Sequence, residues 1–111
     1  MFQVNRQGSV NVLSGTDPLN AEHVPAARTA SEQCFGKGQP QIVFHLAGVP
    51  LIDSAGLEFL LELRDRTLRY GGAVQLAEPR GLCRDILQAT GLAGEFAIFD
   101  HLNSAVGSFA Q

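Results

Sequence analysis

The sequence predicts an α/β fold in which a mostly parallel or mixed sheet of four to five strands carries about four helices. Three observations support this prediction. Short apolar runs alternate with longer segments of helical periodicity from Gln41 to Phe109. Turn-forming glycine, proline and aspartate residues separate these runs. Two short apolar runs precede the first helical segment, which predicts an N-terminal hairpin.

Length and composition indicate one folded domain that spans residues 1–111. Hydrophobic residues make up 45% of the chain and charged residues 17%, which favours a packed core over disorder. A formal net charge of −3 offers no basic surface for nucleic acid. No window approaches the roughly 20 apolar residues of a membrane span, and the N-terminal segment does not resemble a signal peptide. We therefore expect a cytoplasmic protein that neither binds nucleic acid nor inserts into a membrane.

The cysteines and histidines do not form a recognisable ligand pattern. Cys34 and Cys83 lie far apart in the sequence, and His23, His45 and His101 are equally scattered. Zinc and redox motifs need short, regular spacings between such residues. The sequence therefore predicts no metal site, no cofactor and two core thiols.

The first forty residues predict a hairpin followed by a helix. Apolar residues alternate with polar ones at Phe2–Val4 and at Val10–Leu13, and Gly8 supplies the turn between them. A loop signal covers residues 15–18. The helix is predicted to begin near Pro25, because proline cannot occupy the interior of a helix, and to extend towards Phe35. Its inward positions are small: Ala27, Ala30 and Cys34.

The central part of the chain predicts a buried strand and a long helix. The apolar run Ile42–Leu46, bounded by Pro40 and Gly48, is typical of a strand covered on both faces. After Asp53, apolar and charged residues separate onto opposite sides at helical spacing, and the glycines at 71–72 end the pattern. The predicted apolar side consists of Leu57, Leu60, Leu61, Leu63 and Leu68.

Charged residues of this long helix predict ion pairs on a solvated face. Glu62 precedes Arg66 by four residues, and Asp65 precedes Arg69 by four, the favourable order for such pairs. Arg64 falls among the leucines. Either its aliphatic stem lies along the edge of the core, or its charged end contacts a partner.

The last third predicts two strand and helix pairs. Residues 73–77 form a strand, and residues 80–89 form a helix that ends at Gly91, with inward positions Leu82, Ile86 and Leu87. Residues 96–99 form the last strand. Asp100 is the predicted N-cap of a final helix whose apolar positions are Leu102, Ala105, Val106 and Phe109.

The most informative segment is Asp53-Ser54-Ala55-Gly56-Leu57, where the central strand gives way to the long helix. The N–H groups of a helical first turn lack partners within the helix and carry a partial positive charge, so they favour an oxygen acceptor or a phosphate. In sheets of this class, functional residues gather at the carboxyl ends of the strands. Ser54 is therefore the candidate functional residue, and simple helix capping by Asp53 or Ser54 is the structural alternative.

Residues 41–109 resemble a STAS domain, the fold of the anti-sigma factor antagonists. The likeness rests on the run from Ala47 to Leu57 with its Asp-Ser-x-Gly-Leu motif, on the leucine-rich helix that follows, and on Thr90-Gly91-Leu92. Nearer the N-terminus, Leu19-Asn20 resembles the Leu-Asp segment of the family. Asparagine replaces the usual aspartate there.

The resemblance implies a regulatory switch and no enzymatic activity. In the family, the unmodified domain binds an anti-sigma factor that is itself a serine kinase, and a sigma factor is released. Phosphorylation of the serine at the position of Ser54 breaks that complex, and a serine phosphatase restores it. The implied partner surface comprises Asp53, Ser54, Ala55, Gly56 and Leu57 together with Leu19 and Asn20. A homo-oligomer formed through the first strand edge is compatible with this reading.

Three other functions remain open. Some STAS domains act without phosphorylation as constitutive subunits, for instance in a phospholipid transporter of the ABC type. A nucleophilic Ser54 would need a base from His23, His45 or His101, and Ile52 stands where a Gly-x-Ser-x-Gly elbow has its first glycine. Nucleotide binding would need a phosphate-binding glycine loop, and Gly36-Lys37-Gly38 is interpreted as a plain connection between helix and strand.

Overall fold

Five strands form one mixed sheet in the computed structural model, which describes residues 1–36 and 38–110. The strands lie in chain order across the sheet: β1 (Phe2–Gln7), β2 (Val10–Gly15), β3 (Gln41–His45), β4 (Ala73–Ala77) and β5 (Ile98–Phe99). β1 is antiparallel to β2, and every later neighbour is parallel. The predicted hairpin and mixed sheet are confirmed. Lys37, within the predicted loop at 36–38, lies outside the described residues.

Four helices cover the two faces of the sheet: α1 (Val24–Ser31), α2 (Ser54–Arg69), α3 (Gly81–Ala89) and α4 (Leu102–Ser108). Side chains of a strand alternate between faces, and β3 shows the result. Ile42 and Phe44 pack in the core formed with α1, α2 and α3, whereas Val43 packs against Ala105 of α4. β3 is therefore buried on both faces, as predicted. No helix in the described part of the chain has the length and apolar character needed to cross a bilayer.

Helix α1 begins one residue before the predicted position. Val24 is its first residue, and Pro25 occupies the first turn, where its missing N–H costs nothing. The helix ends at Ser31, and a short 3₁₀ helix continues it over Glu32–Cys34. The predicted inward residues are all buried: Ala27, Ala30 and Cys34.

Helix α2 buries a narrower face than the leucine pattern predicts. Leu60 and Leu63 are buried, and Leu57 and Leu61 are half-buried. Leu68, predicted on the buried side, is 58% exposed, because at 100° per residue it lies well to one side of the buried face. Thr67 occupies the core position there instead.

The ion pairs predicted within α2 are wrong, because two of the charged side chains bind residues that α1 and its 3₁₀ extension present. Glu62 pairs with Arg28 at 2.5 Å, and Arg66 pairs with Glu32. These contacts join neighbouring helices across the surface of the core. They replace the predicted intrahelical pairs Glu62–Arg66 and Asp65–Arg69.

Arg64 lies along the edge of the core and is held by groups of this chain. Its guanidinium pairs with Glu95 at 2.5 Å and with Asp65 at 3.2 Å, and its side chain is 24% exposed. The guanidinium also lies over the ring of Phe96, 5.7 Å from its centroid. The structure thus favours the first of the two interpretations of this residue.

Helix α3 packs through Cys83 and Leu87, and the prediction for Leu82 is wrong. Cys83 and Leu87 are buried and Ile86 is half-buried, but Leu82 is 55% exposed. At 100° per residue, Leu82 lies roughly 120° around the helix from the face that Cys83 and Leu87 bury, so its side chain points into solvent. Gly91 has the left-handed backbone conformation expected of a helix stop, with φ of 81°.

The last strand is shorter than predicted. β5 contains only Ile98 and Phe99, which pair with Leu76 and Ala77 of β4. Phe96 precedes the strand and is buried in the main core. The apolar signal at 96–99 thus combines a core residue with a two-residue strand.

The N-cap of α4 is not Asp100, because Asp100 pairs with Arg84 at 3.0 Å instead. The residue in the N-cap position is His101, which makes no capping side-chain bond. The first-turn N–H of Leu102 donates to Oε2 of Glu78 at 2.8 Å. Glu78 therefore caps α4 from the end of β4, and it does so with a strained backbone φ of 55°.

We predict that Glu78→Ala destabilises the protein by about 1 kcal/mol, because α4 loses its side-chain cap. Glu78→Gln is the matched control, since it keeps an acceptor oxygen and the same backbone conformation. Urea unfolding at neutral pH measures both. Equal stability of the two variants would show that the bond to Leu102 contributes nothing.

Candidate functional site

The Asp-Ser-x-Gly-Leu segment opens α2 just beyond the carboxyl end of β3. Asp53 is the N-cap, and its Oδ1 accepts the backbone N–H of Gly56 at 3.0 Å. Ser54 is the first helical residue and is exposed. The capping role thus falls to Asp53, and the hydroxyl of Ser54 faces solvent.

Asp53 also binds the loop that leads into α1. Its second oxygen, Oδ2, accepts the backbone N–H of Ala21 at 3.2 Å. The N–H of Gly56, and then that of Ala21, hold the pKa of the Asp53 carboxyl below its usual range. One carboxylate therefore fixes two segments that are distant in sequence.

Backbone hydrogen bonds reinforce this connection. The N–H of Leu19 donates to the carbonyl of Leu51 at 2.9 Å, and the N–H of Asp53 donates to the carbonyl of Leu19 at 3.1 Å. Leu19 and Ile52 form an isolated parallel bridge at this point. These bonds therefore hold the loop before α1 against the loop before α2.

Gly56 permits the two loops to approach this closely. A Cβ at this position would lie 2.1 Å from the carbonyl oxygen of Leu19 and 2.8 Å from Cγ2 of Ile52. Backbone atoms cannot yield to such a contact as a flexible side chain can. The requirement for glycine is therefore one of space, and no side chain fits without separating the loops.

Asn20 organises the turn that precedes α1. Its Oδ1 accepts the backbone N–H of His23 at 3.0 Å and lies 2.9 Å from Nδ1 of the same histidine. An asparagine oxygen can cap this turn as an aspartate oxygen would. Asn20 therefore supplies the same acceptor oxygen as the aspartate of the Leu-Asp segment that it resembles, but it carries no negative charge.

The structure brings all the predicted site residues together, but it exposes them unequally. Ser54 is exposed, and four residues are half-buried: Asp53, Ala55, Leu57 and Asn20. Leu19 is fully buried and Gly56 is buried, so these two shape the surface without presenting a side chain to it. Sequence reasoning missed the contribution of Ala21 and Ile52, because their backbone contacts leave no signature in residue type.

Both cysteines are free, buried thiols in the structure. Among the described residues, no group of histidine, cysteine, aspartate and glutamate side chains could hold a metal ion. Cys34 and Cys83 are buried, and burial raises the pKa of each thiol to about 11. Such thiols are protonated and poorly reactive at neutral pH.

We predict that Gly56→Ala destabilises the protein by about 2 kcal/mol or more, because the added methyl group must push the Leu19 carbonyl away. Gly107→Ala is the matched control, since a Cβ there has open space within α4, and it should stabilise the protein by about 0.5 kcal/mol. Urea unfolding measures both changes. A neutral Gly56→Ala would contradict the close-approach argument.

We predict that Asp53→Asn makes stability less sensitive to acid. The pKa of Asp53 is lower in the folded protein than its ordinary 3.8, so ionised Asp53 stabilises the fold fully above that value. This contribution disappears as the pH falls through the lower, folded pKa. Thermal unfolding between about pH 5 and about pH 2.5 should therefore show a shallower decline for Asp53→Asn than for the wild type. Identical slopes would contradict the assigned bonds.

Solved structures share this fold over nearly the whole chain. A candidate anti-sigma factor antagonist from Thermotoga maritima is 23% identical, with a TM-score of 0.89, and the alignment covers 99% of this chain and 95% of that one. An anti-sigma factor antagonist from Mycobacterium paratuberculosis is 21% identical, with a TM-score of 0.88 and coverages of 100% and 94%. At these identities the likeness shows the fold alone.

A transporter contains the same fold as a small part of a larger chain. The murine solute carrier 26 family member A9 anion transporter is 15% identical, with a TM-score of 0.78, and the alignment covers 92% of this chain and 18% of that one. No curated protein matches the sequence significantly. The family model of the STAS domain matches residues 1–105. Together with the five-stranded mixed sheet and the Asp-Ser-x-Gly-Leu helix start, this match shows that the chain belongs to the STAS domain family.

Proposed function

We propose that this chain is a cytoplasmic anti-sigma factor antagonist without enzymatic activity. In this proposal, the surface around unmodified Ser54 binds an anti-sigma factor that is also a serine kinase, and a sigma factor is released. The observation that carries the proposal is the exposure of Ser54 at the first position of α2, on loops that are braced by Asp53 and Gly56. Structural neighbours described as anti-sigma factor antagonists support it.

The braced loops suit a protein-binding surface. Hydrogen bonds from Asp53 and Leu19 fix the loop before α1 against the start of α2. A partner that binds such a surface does not have to order it first, so less of the interaction energy is lost to conformational entropy. Leu57 and Ala55 are half-buried beside Ser54 and offer apolar contact area.

Phosphorylation of Ser54 should leave the local fold intact. A phosphate adds about 1.5 to 2 negative charges at neutral pH, and its position at a helix N-terminus contributes about 0.3 to 1 kcal/mol of stabilisation. The nearest like charge in sequence is that of Asp53, which two backbone N–H groups already hold in place. Repulsion between these groups would offset part of the gain without removing the cap.

The same phosphate would weaken the binding of a partner that packs on Ser54. Binding would bury a doubled negative charge, and burial of an unpaired charge costs several kcal/mol. We expect phosphorylated protein to bind its anti-sigma factor on the order of 100-fold more weakly than unmodified protein. A serine phosphatase would then restore the complex.

Phosphosite mapping in the native host tests the proposal directly. Intact-mass analysis before and after phosphatase treatment should reveal a removable phosphoryl group on Ser54. A Ser54→Ala strain should lack it, whereas Ser104→Ala should retain it, because Ser104 is exposed on α4 at the opposite face of the sheet. The absence of modified Ser54 under all growth and stress conditions would contradict the switch.

The mechanism of the switch can be tested separately. If the phosphate acts through charge and desolvation at the interface, crystal structures of modified and unmodified protein should superimpose at the start of α2. A displaced or melted first turn would show instead that the phosphate remodels the domain.

A constitutive subunit of a transport assembly is the second candidate. The likeness to the STAS region of a murine anion transporter and to a sulfate transporter family protein from Wolinella succinogenes favours it. Such a subunit, including one of a phospholipid transporter, would need the surface and not the phosphate. Ser54→Ala would then keep every partner interaction and phenotype.

A further inference from the structure

An apolar groove runs between α2 and α3, and Ser54 lies on one of its walls. At 100° per residue, Ser54, Leu57 and Leu61 lie within about 60° of one another around α2. Leu57 and Leu61 are half-buried against the main core, so each also presents apolar surface to solvent. Arg64 lies about 60° from Leu61 and binds Glu95 in the connection that follows α3. This flank of α2 therefore faces α3.

Helix α3 supplies the other wall of the groove. Arg84 binds Asp100, which follows β5, so the flank of α3 that carries Arg84 faces β5. Leu82 and Ile86 each lie about 160° from Arg84 around the helix, on the flank that faces α2. Leu82 is 55% exposed and Ile86 is half-buried. Both side chains therefore add apolar surface to the groove.

The groove begins at the edge of the sheet where Ser54 lies. β3 and β4 are parallel neighbours, and His45 pairs with Ala77 at their carboxyl ends. Helices α2 and α3 follow these two strands and pack in the same core. Leu82, in the first turn of α3, therefore lies at the same end of the groove as Ser54.

Two exposed carboxylates flank the groove. Glu58 lies four residues after Ser54 on α2, and Asp85 lies three residues after Leu82 on α3. Neither forms an ion pair within the part of the chain that the structure describes. An apolar centre with an unpaired acidic rim is complementary to an apolar segment flanked by lysine or arginine residues.

We propose that this groove binds an apolar segment, flanked by basic residues, of the serine kinase that acts on Ser54, and that Leu82 is its main apolar anchor. The inference rests on the proposed function and extends the partner surface onto α3. A protein that packs on Ser54 also meets Leu57 and Leu61, which share the same flank of α2. Its basic groups lie at the rim, so a phosphate on Ser54 meets the apolar centre without a counterion.

Site-specific crosslinking in the native host identifies what covers the groove. The photoreactive residue p-benzoylphenylalanine replaces Leu82 in the full chain or, as the control, Ser104 on the opposite face of the sheet. We expect the residue at position 82 to crosslink to a protein that peptide mass spectrometry identifies as the serine kinase, and the residue at position 104 not to do so. A crosslink from position 82 to a second copy of this chain instead would overturn the proposal.

Calorimetric titration with the purified kinase tests the anchor. Leu82→Gln should raise the Kd at least about tenfold, because the complex loses the burial of an apolar side chain. Leu68→Gln is the matched control: Leu68 is 58% exposed, but it lies about 21 Å along α2 from Ser54. It should leave the Kd unchanged within about twofold. Both variants should keep the urea midpoint of the wild type, since neither side chain is buried.

The acidic rim is tested by salt. The Kd of the wild-type complex should rise between about 50 and about 300 mM NaCl, because salt screens exposed charges. Asp85→Asn should weaken binding about threefold at low salt and reduce this dependence. An equal salt dependence in Asp85→Asn and the wild type would contradict a basic partner segment at this rim.

The outcomes separate this inference from the proposed function. If no kinase modifies Ser54 in the host, the proposed function fails and this inference fails with it. If a kinase modifies Ser54 but binds Leu82→Gln as tightly as the wild type, only the inference is overturned. Equal losses of affinity in Leu82→Gln and Leu68→Gln would also overturn it, because the contact would not be confined to the end of the groove at Ser54.

Discussion

The close approach of two loops at the carboxyl edge of the sheet is the constraint on which the candidate site depends. The carbonyl of Leu19 accepts the N–H of Asp53 and occupies the space that a Cβ on Gly56 would need. The loop before α1 therefore reaches the first turn of α2, and the Asp53 carboxylate can bind Ala21. These contacts hold Ser54 in its exposed position, although the side chain of Ser54 takes part in none of them.

The sequence predicted the order of strands and helices along the chain, the N-terminal hairpin and the helix start at Asp53, because these follow from local periodicity and turn chemistry. It was misleading for Leu68 and Leu82, since both lie to one side of the face that their helix buries, and apolar character alone does not show how wide that face is. Glu78 was missed for a different reason. Its capping bond joins the end of β4 to α4, 24 residues along the chain, and only the folded arrangement brings them together. Local sequence carries little information about such contacts.

The two edges of the sheet present different chemistry. At the carboxyl edge, α2 begins with Asp53 and Ser54, and the first-turn N–H groups favour negative charge. At the amino edge, the segment from α1 ends at Cys34, and the polar side chains of Arg6 and Asn11 lie beside it. Parallel β-α units produce this asymmetry, because each strand and the helix that follows it run in opposite directions. The two edges of the sheet therefore carry different polar groups.

Gly56 and Ser54 belong to one short motif, but the structure constrains them differently: Gly56 is crowded by neighbouring atoms, and Ser54 is exposed. Any chain that passes its first loop this close to the start of its second helix must keep a glycine there, whatever task it performs. Ser54, exposed and free of packing demands, can change identity without cost to the architecture. During divergence, the residue at position 54 can therefore change through a single codon, while the packing around position 56 continues to require glycine.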